Sequence, residues 1–138
     1  MVHTFGEVIM TRSTRSEFER LVSNYYEQHL PQLRLAAPTF EEAGFITTAT
    51  MAGSGGQVKM RCGPAEYHAE IFIHTSRDEK RWTLADLMSL ETVRDWILQN
   101  PPNASEKSSF EVEVDYAFRL LSEGLRGDSR FDWVCRPS

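Results

Sequence analysis

The run EYHAEIFIHT, residues 66–75, sets two histidines and two glutamates in one short stretch. A histidine can hold a metal and a nearby glutamate can move protons. His68-Ala69-Glu70 is the first half of the His-x-Glu…Pro-Cys-x-x-Cys arrangement by which zinc deaminases do both. The second half is missing: the only cysteine after Glu70 is Cys135, in CRPS. The stretch also alternates like a strand. Tyr67, Ala69, Ile71 and Ile73 form one face, and His68, Glu70, Phe72 and His74 the other. In a strand, residues i and i+2 sit about 6.5–7 Å apart on one face. His68 and Glu70 could share a metal there, but His74 is too far from His68 to join without a bend. The neighbours expected from the preceding strand are Lys59 and Arg61, cations that repel a metal and would pair with Glu70. The expectation is therefore a polar sheet face with no metal and no cofactor.

Other chemical signals are weaker. GSGG (53–56) precedes the alternating QVKMRC, a strand and not a helix, so it predicts a hairpin and not a phosphate cradle. Both cysteines are expected as reduced, mostly buried thiols. Cys62 shares a face with Val58 and Met60 and is expected in the core, whereas Cys135 is expected nearer the surface. Neither cysteine has a CxxC partner, and no GxSxG nucleophile occurs. In Arg126-Gly127-Asp128, the glycine reads as a helix C-terminal cap and Asp128 as the cap of the next short turn. Glu111, Glu113 and Asp115 read as a solvated acidic face.

The elements that would position these residues follow from periodicity. Residues 1–12 show no period and predict an arm or an edge strand. Met10 is an alternative start. A helix is predicted over 14–30: Phe18, Leu21, Val22, Tyr25 and His29 line one side, with Thr14 and Glu17 at capping-box spacing and Pro31 as its stop. LRLAA (33–37), 44–52, 57–62 and the opening stretch predict three to four antiparallel strands. SRDEKR (76–81) reads as a charged loop. Thr83 and Asp86 then begin a helix, with Leu84, Leu87 and Met88 inward. Leu90, Val93, Trp96 and Ile97 mark a second, ended by Pro101-Pro102. Ser108 and Glu111 open a third, over Phe110–Leu125. A strand at 109–115 competes with it, because Val112 and Val114 alternate with acids. Phe131, Trp133 and Val134 are expected to fold back onto the core. The order predicts a single α+β domain over 1–138: an N-terminal helix, a central antiparallel sheet, and C-terminal helices on one sheet face.

The totals set limits. The chain has 138 residues, 41% hydrophobic and 25% charged, with a formal charge of -5. Those values suit one globular domain. The acidity argues against general nucleic-acid binding, which needs basic surface, and fits a basic protein partner. No apolar run approaches the roughly 18 residues of a membrane span. MVHTFGEVIMTRS lacks the pattern of a signal peptide, so the expected location is the cytoplasm.

Two stretches carry a family likeness. KRWTLADLMSL (80–90) and VDYAFRLLSEGLRGDSRFDWV (114–134) resemble small bacterial α+β proteins, some of which are immunity proteins of polymorphic toxin systems. The matching features are Phe18/Leu21, Trp82-Thr83-Leu84-x-x-Leu87, and Leu120-Leu121…Leu125-Arg126-Gly127-Asp128. Residues 91–110 and the opening dozen have no counterpart. The resemblance implies a non-enzymatic protein that binds and blocks a toxin. It transfers no site residues. The interaction candidates come from the residues themselves: Lys59, Arg61, His68, Glu70, Phe72 and His74 on the sheet, and Glu111, Glu113 and Asp115. Two alternatives stand beside this reading. One is a small metal- or ligand-binding enzyme using His68, Glu70 and possible help from His74. The other is a structural subunit that homodimerises through an edge strand or the open sheet face.

Overall fold

The computed structural model describes residues 2–63, 69–102 and 109–136, with side chains described from residue 16 onward except at 69, 109 and 110. Five strands form one antiparallel sheet in sequence order: β1 (Thr39–Ala43), β2 (Ile46–Gly53), β3 (Gly56–Cys62), β4 (Ala69–Thr75) and β5 (Arg81–Thr83). The helices are α1 (Val2–His29), α2 (Leu84–Met88), α3 (Glu91–Gln99) and α4 (Ser109–Arg119). The α+β layout is the one expected, with five strands instead of three to four. Among the described residues, no helix is long and apolar enough to cross a membrane.

Several elements differ from expectation. Residues 2–12 are neither an arm nor an edge strand; they belong to α1, so Thr14 lies inside the helix and does not cap it. The capping-box spacing of three residues is also one helical turn, so it recurs in helix interiors. LRLAA makes only a bridge, Leu33 to Cys135, and an Ala36 N–H bond to the Ala52 carbonyl. Residues 109–115 are helical, the reading favoured over the competing strand. Ser108 and the 64–68 segment, with Tyr67 and His68, lie outside the described residues. Thr83 and Asp86 do form a reciprocal capping box at α2.

The turns fix the register. Gly44, at φ +64°, is the first of two residues between β1 and β2, where a type II′ turn takes glycine. At the β2–β3 hairpin the glycines serve close approach more than positive φ. A Cβ on Gly53 or Gly55 would lie 2.5 Å from the Trp133 ring, which lies over the hairpin. A Cβ on Gly56 would collide with the backbone carbonyl of His74 on β4.

With register set, period 2 sorts the side chains. Ala49, Met51, Val58, Met60, Ile71 and Ile73 share the inner face and are buried. Phe18 and Val22 of α1, and Val114, Ala117 and Phe118 of α4, close over it. A fully buried Phe118 is the kind of side chain whose truncation costs about 3–5 kcal/mol. The C-terminal segment completes the layer. Phe131 and Val134 are buried, and Phe131 meets Trp82 edge-on at 5.3 Å. Backbone bonds from Arg34 to Val134 and from Arg136 to Gln32 hold this segment beside the chain that leaves α1. Cys135 is thereby buried, against the surface position expected for it.

A substitution separates the two glycine roles. Gly56→Ala meets backbone, which cannot yield, and should cost about 3 kcal/mol, lowering the melting temperature by roughly 10 °C. Gly55→Ala meets only the half-buried Trp133 ring and should cost less. Thermal unfolding of both variants checks the order.

Candidate functional site

Among the described residues, none of the helices covers the outer face of the sheet, whose side chains are half-buried or exposed. Register sets Arg61 opposite Glu70, Lys59 opposite Phe72, and Gln57 opposite His74. From the other side, β5 sets Thr83 opposite Phe72 and Arg81 opposite His74. Arg61 Nη2 lies 2.5 Å from Glu70 Oε2, the cross-strand pairing expected. Both side chains are well exposed, so the pair contributes at most about 1 kcal/mol.

Phe72 is half-buried, and two guanidinium groups cover it. The Arg81 guanidinium carbon lies 4.0 Å from the ring centroid and that of Arg61 lies 5.4 Å away. Such stacking is favourable because the ring face is electron-rich, and it holds both forks in fixed orientations. Among the described residues of this face, the cations beside Phe72 are Lys59, Arg61 and Arg81, and the nearest acid on a paired strand is Glu70. Glu41 on the edge strand shares the face but lies beyond Thr48, two strands from Arg61. The centre of the face is therefore cationic although the chain is acidic overall. Arg81 was missed in the sequence because a three-residue strand is too short to show alternation.

The metal reading gains no geometry. His68 is outside the described residues, and His74 is exposed beside Arg81. Among the described residues no group of three His, Cys, Asp or Glu side chains is placed to hold a metal. Cys62 and Cys135 are both free thiols, and burial pushes the pKa of each up, away from a reactive thiolate.

The three acids of α4 do not form one surface. Burial, then Asp115, then Glu111 raise the pKa of Tyr25, which places those two acids on the α1 flank. Burial and then Glu113 raise that of Cys62, which places Glu113 toward β3. A spacing of two residues turns a helix by about 200°, so Glu113 must face away from its neighbours.

Asp128 of the Arg-Gly-Asp run is 3% exposed. It caps the short 3₁₀ turn Ser129–Phe131 as expected. Its carboxylate accepts from the Arg130 backbone N–H at 3.1 Å, from Arg130 Nε at 2.9 Å and Nη2 at 2.6 Å, and from the Thr92 hydroxyl at 2.6 Å. The bond to Thr92 ties the C-terminal segment to the first turn of α3.

A second arrangement has no counterpart in the sequence reading. After Arg119, α4 continues as a π-helical segment, Leu120–Gly124, with the Leu125 N–H bonded to the Leu120 carbonyl at 3.0 Å. Beside the end of α1 this segment borders a cleft of about 330 Å³, lined by Gln28, His29, Gln32, Ser122, Glu123 and Arg126. Ser122 Oγ lies 3.2 Å from His29 Nδ1. His29 looked like the last apolar-face position of α1. Ser122 is 93 residues away, so only tertiary packing joins them.

No protein-family model, curated protein or solved structure matches this chain.

The Asp128 carboxyl is held down to about 2, chiefly by its hydrogen bonds to Arg130, against burial. A carboxylate with a depressed folded pKa stabilises above its ordinary pKa and loses that contribution as pH falls toward the folded value. Denaturant unfolding between neutral pH and about pH 2 should show about 2 kcal/mol lost to this group. Asp128→Asn should be weaker at neutral pH and show a correspondingly smaller acid loss.

Proposed function

We propose that this chain is a non-enzymatic protein-binding domain whose partner docks on the outer sheet face. The observation that carries the reading is the Arg81–Phe72–Arg61 stack at the centre of a face that none of the described helices covers. A ring with two guanidiniums held over it offers apolar contact and oriented donors together, the composition of an interface anchor. Lys59 adds a third positive charge. The complementary partner surface presents carboxylates around an apolar centre. This turns the electrostatic expectation around: net charge suggested a basic partner, whereas the local charge of this face favours an acidic one.

The likeness to immunity proteins supports a role in blocking a toxin by occlusion in the cytoplasm. On that reading the sheet face meets an acidic patch on the toxin. Among the described residues, Glu70 is engaged by Arg61 and His74 lies exposed opposite Arg81, an arrangement that does not favour the catalytic alternative.

Native mass spectrometry of the protein from its own source, with metal analysis, identifies the bound protein. The double variant Lys59→Glu/Arg81→Glu is then titrated against it. The expected result is a loss of at least about 30-fold in affinity with a near-native melting temperature. Retained affinity would remove the sheet face as the interface, and a stoichiometric metal lost in His68→Ala would reinstate the catalytic reading.

A further inference from the structure

The cleft between the end of α1 and the π-helical segment holds two polar atoms whose bonding is incomplete. His29 Nε2 and Arg126 Nε are both buried, and neither has a hydrogen-bond partner among the described residues. Both residues line the same cleft. A buried polar atom left in this state costs about 1–3 kcal/mol, so two in one cleft call for an occupant.

The chemistry of that occupant follows from donor accounting. Ser122 is fully buried, and its hydroxyl has one proton. That proton goes to the Phe118 carbonyl, at 2.8 Å with ordinary helical back-bonding geometry. Ser122 Oγ must then accept at its 3.2 Å contact with His29, which requires the proton on Nδ1. In the neutral ring Nε2 is therefore a bare acceptor. Burial, the largest influence on His29, favours that neutral ring over the opposing pull of Glu123 and Asp115, with Arg119 acting in the same sense as burial. Arg126 Nε–H is a donor at every accessible pH. The cleft thus asks for a group that both donates and accepts.

A hydroxyl does both. An anion only accepts, and would face Glu123 as well as the bare Nε2. A metal would find one imidazole and one exposed carboxylate, too few ligands. The remaining lining, Gln28, Gln32 and Glu123, supplies further donors and acceptors at the rim. The volume is at the lower end of small-molecule sites, about 300–1,000 Å³. The π-helical turn that places Ser122 and Arg126 here is a distortion that recurs at functional sites.

We propose that this cleft binds a small polyhydroxyl molecule of the sugar or polyol class, whose hydroxyls donate to His29 Nε2 and accept from Arg126 Nε. The site lies on the helical layer and is independent of partner docking at the sheet.

The test is ¹⁵N NMR of the imidazole nitrogens of the full-length protein, with His29 assigned by His29→Gln. Without ligand, His29 should show the Nδ1–H tautomer at neutral pH; an Nε2–H tautomer overturns the proposal at once. Phosphate and acetate are titrated as anion probes, and then glycerol, ribose and glucose. At least one of the last three should shift His29 Nε2 saturably, with affinity about tenfold weaker in Arg126→Met. Ser122→Ala, a smaller change, should mix the tautomers and weaken the same response. No saturable shift means the cleft holds solvent only. Equal, non-saturating shifts in the wild type and Arg126→Met mean an adventitious additive only. A saturable response to phosphate or acetate alone means an anion site. Each of these three overturns the proposal.

Discussion

An antiparallel sheet of five strands has two faces, and one helical layer can dry only one of them. Most of the structure follows from that one-sided burial. Met51, Val58, Met60, Ile71 and Ile73 are deep in the core because α1, α4 and the C-terminal segment cover their face. Their neighbours in sequence then have no choice of side. Lys59 lies between Val58 and Met60, and Phe72 between Ile71 and Ile73, so both must point outward. A slip of one residue in β3 or β4 would drive Lys59, Arg61 or Glu70 into the core, where an ion without a partner costs several kcal/mol. The glycines that close the hairpins guard against such a slip. Gly56 is packed so near the His74 carbonyl that only a residue without a Cβ fits at this point of the β3–β4 pairing.

The same constraint explains which parts of the fold were legible in the sequence. β2, β3 and most of β4 alternate because one side is dry and the other wet. β1 does not alternate: Glu41 and Glu42 are both exposed, so neither face of this edge strand is fully covered there. Charge on an edge strand also protects against sheet extension, a function that hides the strand pattern. β5 is too short for its period to register, and Arg81 went unnoticed with it. The amino-terminal part of α1 carries Val2, Phe5, Val8 and Ile9 at helical spacing, a run too short to mark the helix before the polar stretch 11–16. Thr83 and Asp86, by contrast, cap at a true helix start, where a strand ends and an apolar face follows. Cys135 looked exposed because its neighbours in CRPS are polar. It is buried because the tail pairs with Leu33, a contact set by the return of the chain and not by local composition.

Charge shows the same difference between local and global information. A net charge of -5 describes the far field of the molecule, which a partner feels before contact. At contact, distances of a few ångströms decide, and there Lys59, Arg61 and Arg81 outnumber Glu70. The acids that dominate the total are spread over other surfaces: Glu111 and Asp115 toward α1, Glu113 toward β3, and Asp128 inside the C-terminal turn. Asp128 is an acid that contributes almost nothing outward. Arg130 neutralises it, and its remaining lone pairs hold Thr92 and the Arg130 backbone N–H in place.

The outer sheet face and the cleft beside His29 lie on opposite sides of the inner core. That separation has a thermodynamic consequence. Side chains on a sheet alternate, so beyond the exposed cap of α2 at Thr83 a load on Phe72 or Arg81 reaches the helical layer through Ile71, Ile73 and Trp82. These are close-packed against Phe131 and the helices, with little room to shift. Changes at two sites with no shared partner are expected to add, whereas coupling needs an element with two stable arrangements. The π-helical segment is the best placed to have two, because a π turn differs from an α turn by one residue in its bonding. Gly124 limits that freedom: a Cβ there would press on Leu120 and on the Trp96 ring, so the π turn is packed in place by α3. The cleft is thus shaped by the helical layer alone, and docking on the sheet face can leave it undisturbed.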